Sequence, residues 1–126
     1  MASKEIFYEL FNEKVDEFFK DLIESFPTIT EFKRFKSGLT LLRNVDPKSP
    51  QNIFSVYILS KYKDAFLKKD ESVFLNEDIE IISKKKEYWL EFIDQIRMIW
   101  KTLDDSNKDI IWKYFHVLVV LSEKCK

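Results

Sequence analysis

The stretch Ile110-Ile-Trp-Lys-Tyr-Phe-His-Val-Leu-Val-Val-Leu121 decides how the chain is read. At 100° per residue, Asp109, Lys113, His116, Val120, Glu123 and Lys124 fall into one narrow stripe, and the rest of the circumference is almost wholly apolar. A helix of that kind needs neighbours on most of its sides. The remaining sequence supplies amphipathic segments able to enclose it. The expectation is therefore an all-α fold, a compact bundle of five or six helices around a buried C-terminal helix, in a single domain over residues 1–126.

Working outward, Asp104-Asp-Ser-Asn107 is a short turn in which Asp105 or Ser106 can cap the closing helix, so the two last helices should form an antiparallel hairpin. The preceding helix is expected from Ile79 or Glu80 to Leu103, with Ile82, Trp89, Phe92, Ile93, Ile96, Ile99, Trp100 and Leu103 on one face and Trp89 and Trp100 turned to the last helix. Lys84-Lys85-Lys86 marks where it should bend or fray. At the other end, Ser3 can cap a first helix whose Phe7, Phe11, Val15, Phe18, Leu22 and Phe26 recur at spacings of four and three. Its opposite face carries Glu5, Glu9, Glu13, Asp16, Glu17, Asp21 and Glu24, an acidic and solvated surface. Pro27 should end it.

Thr28-Ile-Thr-Glu31 has capping-box spacing and predicts the start of a second helix, buried through Phe32, Phe35, Leu39 and Leu42. Gly38 lies inside it, which implies a close helix crossing or a kink. Asn44-Val-Asp-Pro-Lys-Ser-Pro50 is a loop, and Ser49-Pro50 reads as an N-cap followed by proline at the first helical position. A third helix over Pro50 to Ser60 follows, with Lys61 to Lys69 continuing it or forming a short helix of its own. Asp70 can cap one turn that points Val73, Phe74 and Leu75 inward, with Asn76 ending it.

Composition bounds the function. Twelve Phe, five Tyr and three Trp supply the bulk of a core, while 21 basic residues against 22 acidic ones leave a formal net charge of −1 and no global field to draw in nucleic acid. One glycine builds neither a Gly-x-Gly-x-x-Gly turn nor a P-loop. His116 and the single Cys125 project about 180° apart on one helix, so they form no Cys–His pair there. No Cys-x-x-Cys, His-x-x-x-His or calcium-loop spacing occurs, and the expectation is a protein without enzymatic activity, metal or cofactor. The apolar run from Tyr114 to Ser122 is far short of the roughly 20 residues needed to span a bilayer. The opening Met-Ala-Ser-Lys-Glu has no apolar leader, and a lone cysteine fits a reducing compartment. A soluble, intracellular protein is expected.

What remains is binding. Lys33, Arg34, Lys36 and Arg43, and separately Lys84-Lys85-Lys86, are the two clusters able to touch phosphate, although scarce arginine and the acidic first helix argue against a nucleic-acid partner. Tyr8, Phe19, Ile23, Leu90, Met98 and Val120 widen or leave the apolar faces; they either broaden the core or adjoin in a docking surface or homodimer seam.

Tyr62-Lys-Asp-Ala-Phe-Leu-Lys-Lys-Asp-Glu-Ser-Val-Phe-Leu75 and Asn107-Lys-Asp-Ile-Ile-Trp-Lys-Tyr-Phe-His-Val-Leu-Val-Val-Leu-Ser-Glu-Lys124 resemble small helical proteins encoded by large DNA viruses of algae and protists. The likeness runs through Phe26-Pro27 and the Asp46-Pro47 loop. Ala65 and Val73 depart from it, standing where a larger polar and a second aromatic side chain are expected. The resemblance implies a viral origin, hence host cytoplasm, nucleus or virion, and carries no catalytic residue across.

The resulting expectation is an adaptor, scaffold or inhibitor that binds another protein. Lys68, Lys69, Asp70, Glu71 and Phe74 are its candidate contact surface, because functional contacts concentrate on irregular segments held by a rigid frame. A Bcl-2-like regulator of host cell death and a nucleic-acid accessory protein are the alternatives.

Overall fold

The computed structural model describes residues 3–75 and 87–126, and every regular element among them is helical. Helix α1 (Ser3–Ser25) buries Phe11, Val15, Phe18, Phe19 and Leu22 and leaves most of its acidic face in solvent. It stops before Pro27, and a turn closed by the Ile29 N–H on the Phe26 carbonyl follows. That turn uses up Thr28, so the Thr28–Glu31 capping box does not form. Helix α2 (Glu31–Val45) starts two residues later than expected, with Thr30 at the N-cap and no side-chain cap. The Thr30 carbonyl accepts from Lys33 and Arg34 instead.

Helix α3 (Ser49–Phe54), a π-helical turn (Ser55–Leu59) and α4 (Ser60–Lys68) follow one another without a break. The Asp46 carboxylate accepts the Lys48 N–H at 3.0 Å, an Asx turn that puts Lys48 at the N-cap and Ser49 inside the helix, one residue off the expected register. Phe54, Ile58 and Phe66 are buried at multiples of four residues. Such a spacing drifts around an ordinary α-helix, and the wider π turn takes part of that drift back.

Helix α4 ends in a Schellman arrangement. Lys69 is left-handed at φ 54°, and the Asp70 N–H reaches back to the Ala65 carbonyl at 2.8 Å. The Asp70 carboxylate then caps the single turn α5 (Ser72–Leu75) through the Ser72 N–H. Val73 and Phe74 point inward as expected, whereas Leu75 is 42% exposed. Arg97, only 9% exposed, donates from Nε and Nη2 to the Val73 carbonyl at 2.9 and 2.8 Å and ties α5 down.

Helix α6 (Tyr88–Trp100) begins where Glu87 is extended and its carboxylate accepts the Leu90 N–H. A helix running unbroken from Ile79 or Glu80 is thereby corrected: that N-cap opens a new helix at Tyr88. Asn76, Ile79, Ile82 and Lys84 to Lys86 lie outside the described residues. The end comes at Trp100, short of Leu103, because Thr102 and Leu103 turn back onto the Ile99 and Trp100 carbonyls. Seven of its side chains are buried and Met98 alone is exposed, making it the most enclosed of the described helices. Phe92 is its hub, within 4.8 to 6.1 Å of the Phe18, Phe19, Phe32, Phe35, Trp89 and Phe115 rings.

Helix α7 (Asp105–Lys124) is capped by Asp104, whose carboxylate accepts the Asn107 N–H at 2.8 Å, one residue before the expected cap. Its polar stripe faces solvent at Asp109, Lys113, His116, Val120 and Lys124, while Ile111, Trp112, Phe115, Leu118, Val119 and Leu121 are buried. Trp100 meets Trp112 and Phe92 meets Phe115, the pairing of antiparallel neighbours. Trp89 turns away from α7, packing against Phe11 and Phe54 and donating to the Pro50 carbonyl at 3.1 Å.

Candidate functional site: a cleft between the first and last helices

The expected contact surface divides in two. Lys68, Lys69 and Asp70 are exposed on the α4–α5 turn. Phe74 is 3% exposed, with its ring centroid 4.4 Å from that of Trp100 and 5.4 Å from that of Trp112, and is therefore core rather than contact surface. The Glu71 carboxylate accepts from Trp100 Nε1 at 3.1 Å and pairs with Lys108 at 3.2 Å, so its work is to hold α5 in place. The physical reason is that α5 is too short to fill its own inner face without Phe74.

The basic cluster of α2 is partly neutralised. Arg43 pairs with Asp16 at 2.7 Å and Arg34 with Glu91 at 3.3 Å. Among the side chains that leave the apolar faces, Phe19 and Leu90 are buried, Tyr8 and Ile23 are half-buried, and Met98 and Val120 are exposed. His116 lies in solvent, whereas Cys125 is buried and burial raises its thiol pKa. Among the described residues, no group of His, Cys, Asp and Glu is placed to hold a metal ion. At the π turn, Lys61, Lys63 and Lys126 line a polar hollow, where Lys63 and Lys126 both pair with Glu123.

A different concavity joins apolar and charged surface. The last turns of α1 and the first turns of α7 bound a cleft of ≈ 120 Å³. Phe18, Leu22, Phe26, Ile110 and Ile111 make its wall; Asp21, Glu24, Ser25 and Asn107 complete it. Ile110, at 43% exposure, is a large apolar side chain left open at this cleft. Tyr114 braces the site from within. Its ring stacks on Phe18, centroids 4.6 Å apart and planes 6° from parallel, and its hydroxyl donates a hydrogen bond to the Asp21 carboxylate. Burial first, then that bond and the charges of Asp21 and Glu17, push the phenol pKa well above its ordinary value.

Helical periodicity does not single out this cleft, because its two halves lie at opposite ends of the chain. The sequence carries two traces of it. Ile110 borders the polar stripe of α7, and α1 finishes on Glu24-Ser25 with no basic residue in its last turn. No family model, curated protein or solved structure matches the chain. Among the described residues, no helix is long and apolar enough to cross a membrane.

Proposed function

We propose that this chain acts without catalysis, as an adaptor, scaffold or inhibitor that binds another protein through the cleft between α1 and α7. The observation that supports this reading most is Ile110, an exposed apolar side chain beside an apolar wall on two helices that the Phe18–Tyr114 stack locks together. A surface held in place before binding loses little conformational entropy when a partner arrives. The exposed Lys68, Lys69 and Asp70, flanked by Leu67 and Leu75, form a second surface such a partner could reach. The viral origin implied by the resemblance, and action inside a host cell, belong to the same proposal.

Affinity purification from expressing cells, read by mass spectrometry, tests it with three baits: the wild type, Ile110→Asp, and Val45→Asp at the exposed end of α2. At least one protein should be recovered with wild type and Val45→Asp and lost with Ile110→Asp, while the thermal midpoint of each bait stays unchanged. Identical recovery from all three would defeat the reading.

A further inference from the structure

We infer that the cleft between α1 and α7 receives a cationic side chain, a lysine or an arginine, from the partner. This deepens the proposed function and rests on it. Two carboxylates, Asp21 and Glu24, line the cleft, and among the described residues no lysine or arginine does. Elsewhere on α1, Asp16 is paired with Arg43 and Glu17 with Lys14. Among the described residues Asp21 and Glu24 are in no ion pair, and the hydrogen bond from Tyr114 leaves Asp21 with open acceptor capacity on its two oxygens.

The backbone is mixed in sign: helix α1 brings its C-terminal end, the negative pole, to the cleft at Ser25 with no basic residue in its last turn, while the first turn of α7 brings the opposite pole at Asn107, whose N–H is already taken by the Asp104 carboxylate. The two carboxylate side chains therefore set the preference for a cation. A cation would complete the set of missing contacts.

The wall fits the rest of such a side chain. Lysine and arginine carry an apolar stem behind the charged head and lay it along apolar surface. Phe26 and Ile110 offer that surface within the same lining as the carboxylates. A volume of ≈ 120 Å³ is below the roughly 300 Å³ at which pockets for whole small-molecule ligands begin, and suits one inserted side chain.

The test needs no knowledge of the partner. The probe is n-butylguanidinium, a charged head on an apolar stem, and its neutral counterpart is n-butylurea. Each is titrated into the full-length chain, and the methyl NMR signals of Ile110, Ile111 and Leu22 are followed. Saturable shifts of these signals are expected with the guanidinium in the millimolar range, with at least about tenfold weaker binding of the urea. The double variant Asp21→Asn/Glu24→Gln should abolish the difference, and raised salt should weaken the guanidinium alone. Glu5→Gln/Glu9→Gln, on the same helix outside the cleft, should leave it intact. No saturable shift up to about 0.1 M, equal binding of the two probes, or equal loss in the two double variants would each overturn the inference. If charge preference is absent while an Ile110-dependent partner is still recovered, only this inference falls; if no such partner exists, the interaction reading falls with it.

Discussion

The Tyr88 ring lies so close over Gly38 that a Cβ on Gly38 would stand 2.6 Å from its Cε1 and Cζ atoms. The mid-helix glycine of α2 is therefore a contact point with α6, and the close crossing, one of the two reasons its sequence position allowed, is the one the fold uses. Replacing Gly38 by Ala sets two effects against each other. Better helix propensity favours alanine by up to about 1 kcal/mol, and overpacking typically costs about 1–3 kcal/mol. Gly38→Ala should lower stability by about 1 kcal/mol net in urea unfolding. In a Tyr88→Ala background the clash is gone, so the same change should become stabilising. A destabilisation of the same size in both backgrounds would show that Tyr88 is not the obstacle.

Lys69 supplies the left-handed residue of the α4 terminus, a place glycine takes at no steric cost. Its Nζ lies 3.9 Å from an Asp109 oxygen, a weak exposed pair whose loss matters little. Lys69→Gly should raise stability by about 0.5–1 kcal/mol, the relief of left-handed strain less the greater freedom of glycine in the unfolded chain. An unchanged or lower urea midpoint would mean that the Asp109 contact does more than its geometry suggests.

Phe74 stands on the opposite side of that turn's energetics. Truncation to alanine empties the space between Trp100, Trp112 and Phe66, and Phe74→Ala should lose about 3–5 kcal/mol, as large-to-small changes of buried aromatics do. Lys68→Ala, exposed and in no ion pair among the described residues, should change stability by under about 0.5 kcal/mol. Thermal unfolding of the two variants side by side separates core from surface within one turn of chain.

These residues also mark what the sequence could and could not tell. The periodic faces of α1, α2 and α7 were legible because each repeats over several turns, and the stripe from Asp109 to Lys124 faces solvent as its spacing requires. The all-α bundle followed from those repeats. Phe74 sits in a single turn, too short for a period; the Asp70 cap pointed it inward, and placing it in a contact surface because the segment is irregular set that reading aside. Trp89 fell on a correctly read face, yet the face of a helix names no neighbour; the Pro50 carbonyl, 39 residues away in sequence, supplies the acceptor that draws its indole toward α3. The cleft escaped for the same reason, being made by Glu24 and Ile110 from opposite ends of the chain.

Glu87 couples the start of α6 to pH. One of its oxygens accepts the Leu90 N–H, while the other is buried with no hydrogen-bond partner among the described residues. Burial raises its pKa, backbone N–H groups of Trp89, Leu90 and Tyr88 pull it back down, and the neighbouring Glu91 raises it further, leaving a net upward shift. The folded state thus holds this proton more tightly than the unfolded chain does. Its stabilising contribution is complete below the ordinary glutamate range and is lost as pH rises through the folded value. Glu87→Gln keeps an oxygen for Leu90 but cannot ionise. The stability of the variant relative to wild type should therefore increase as pH rises from the ordinary glutamate range through the raised folded value. Urea midpoints of both proteins across that range measure it, and a difference that stays flat, or that shrinks toward neutral pH, would show that the buried oxygen is already solvated.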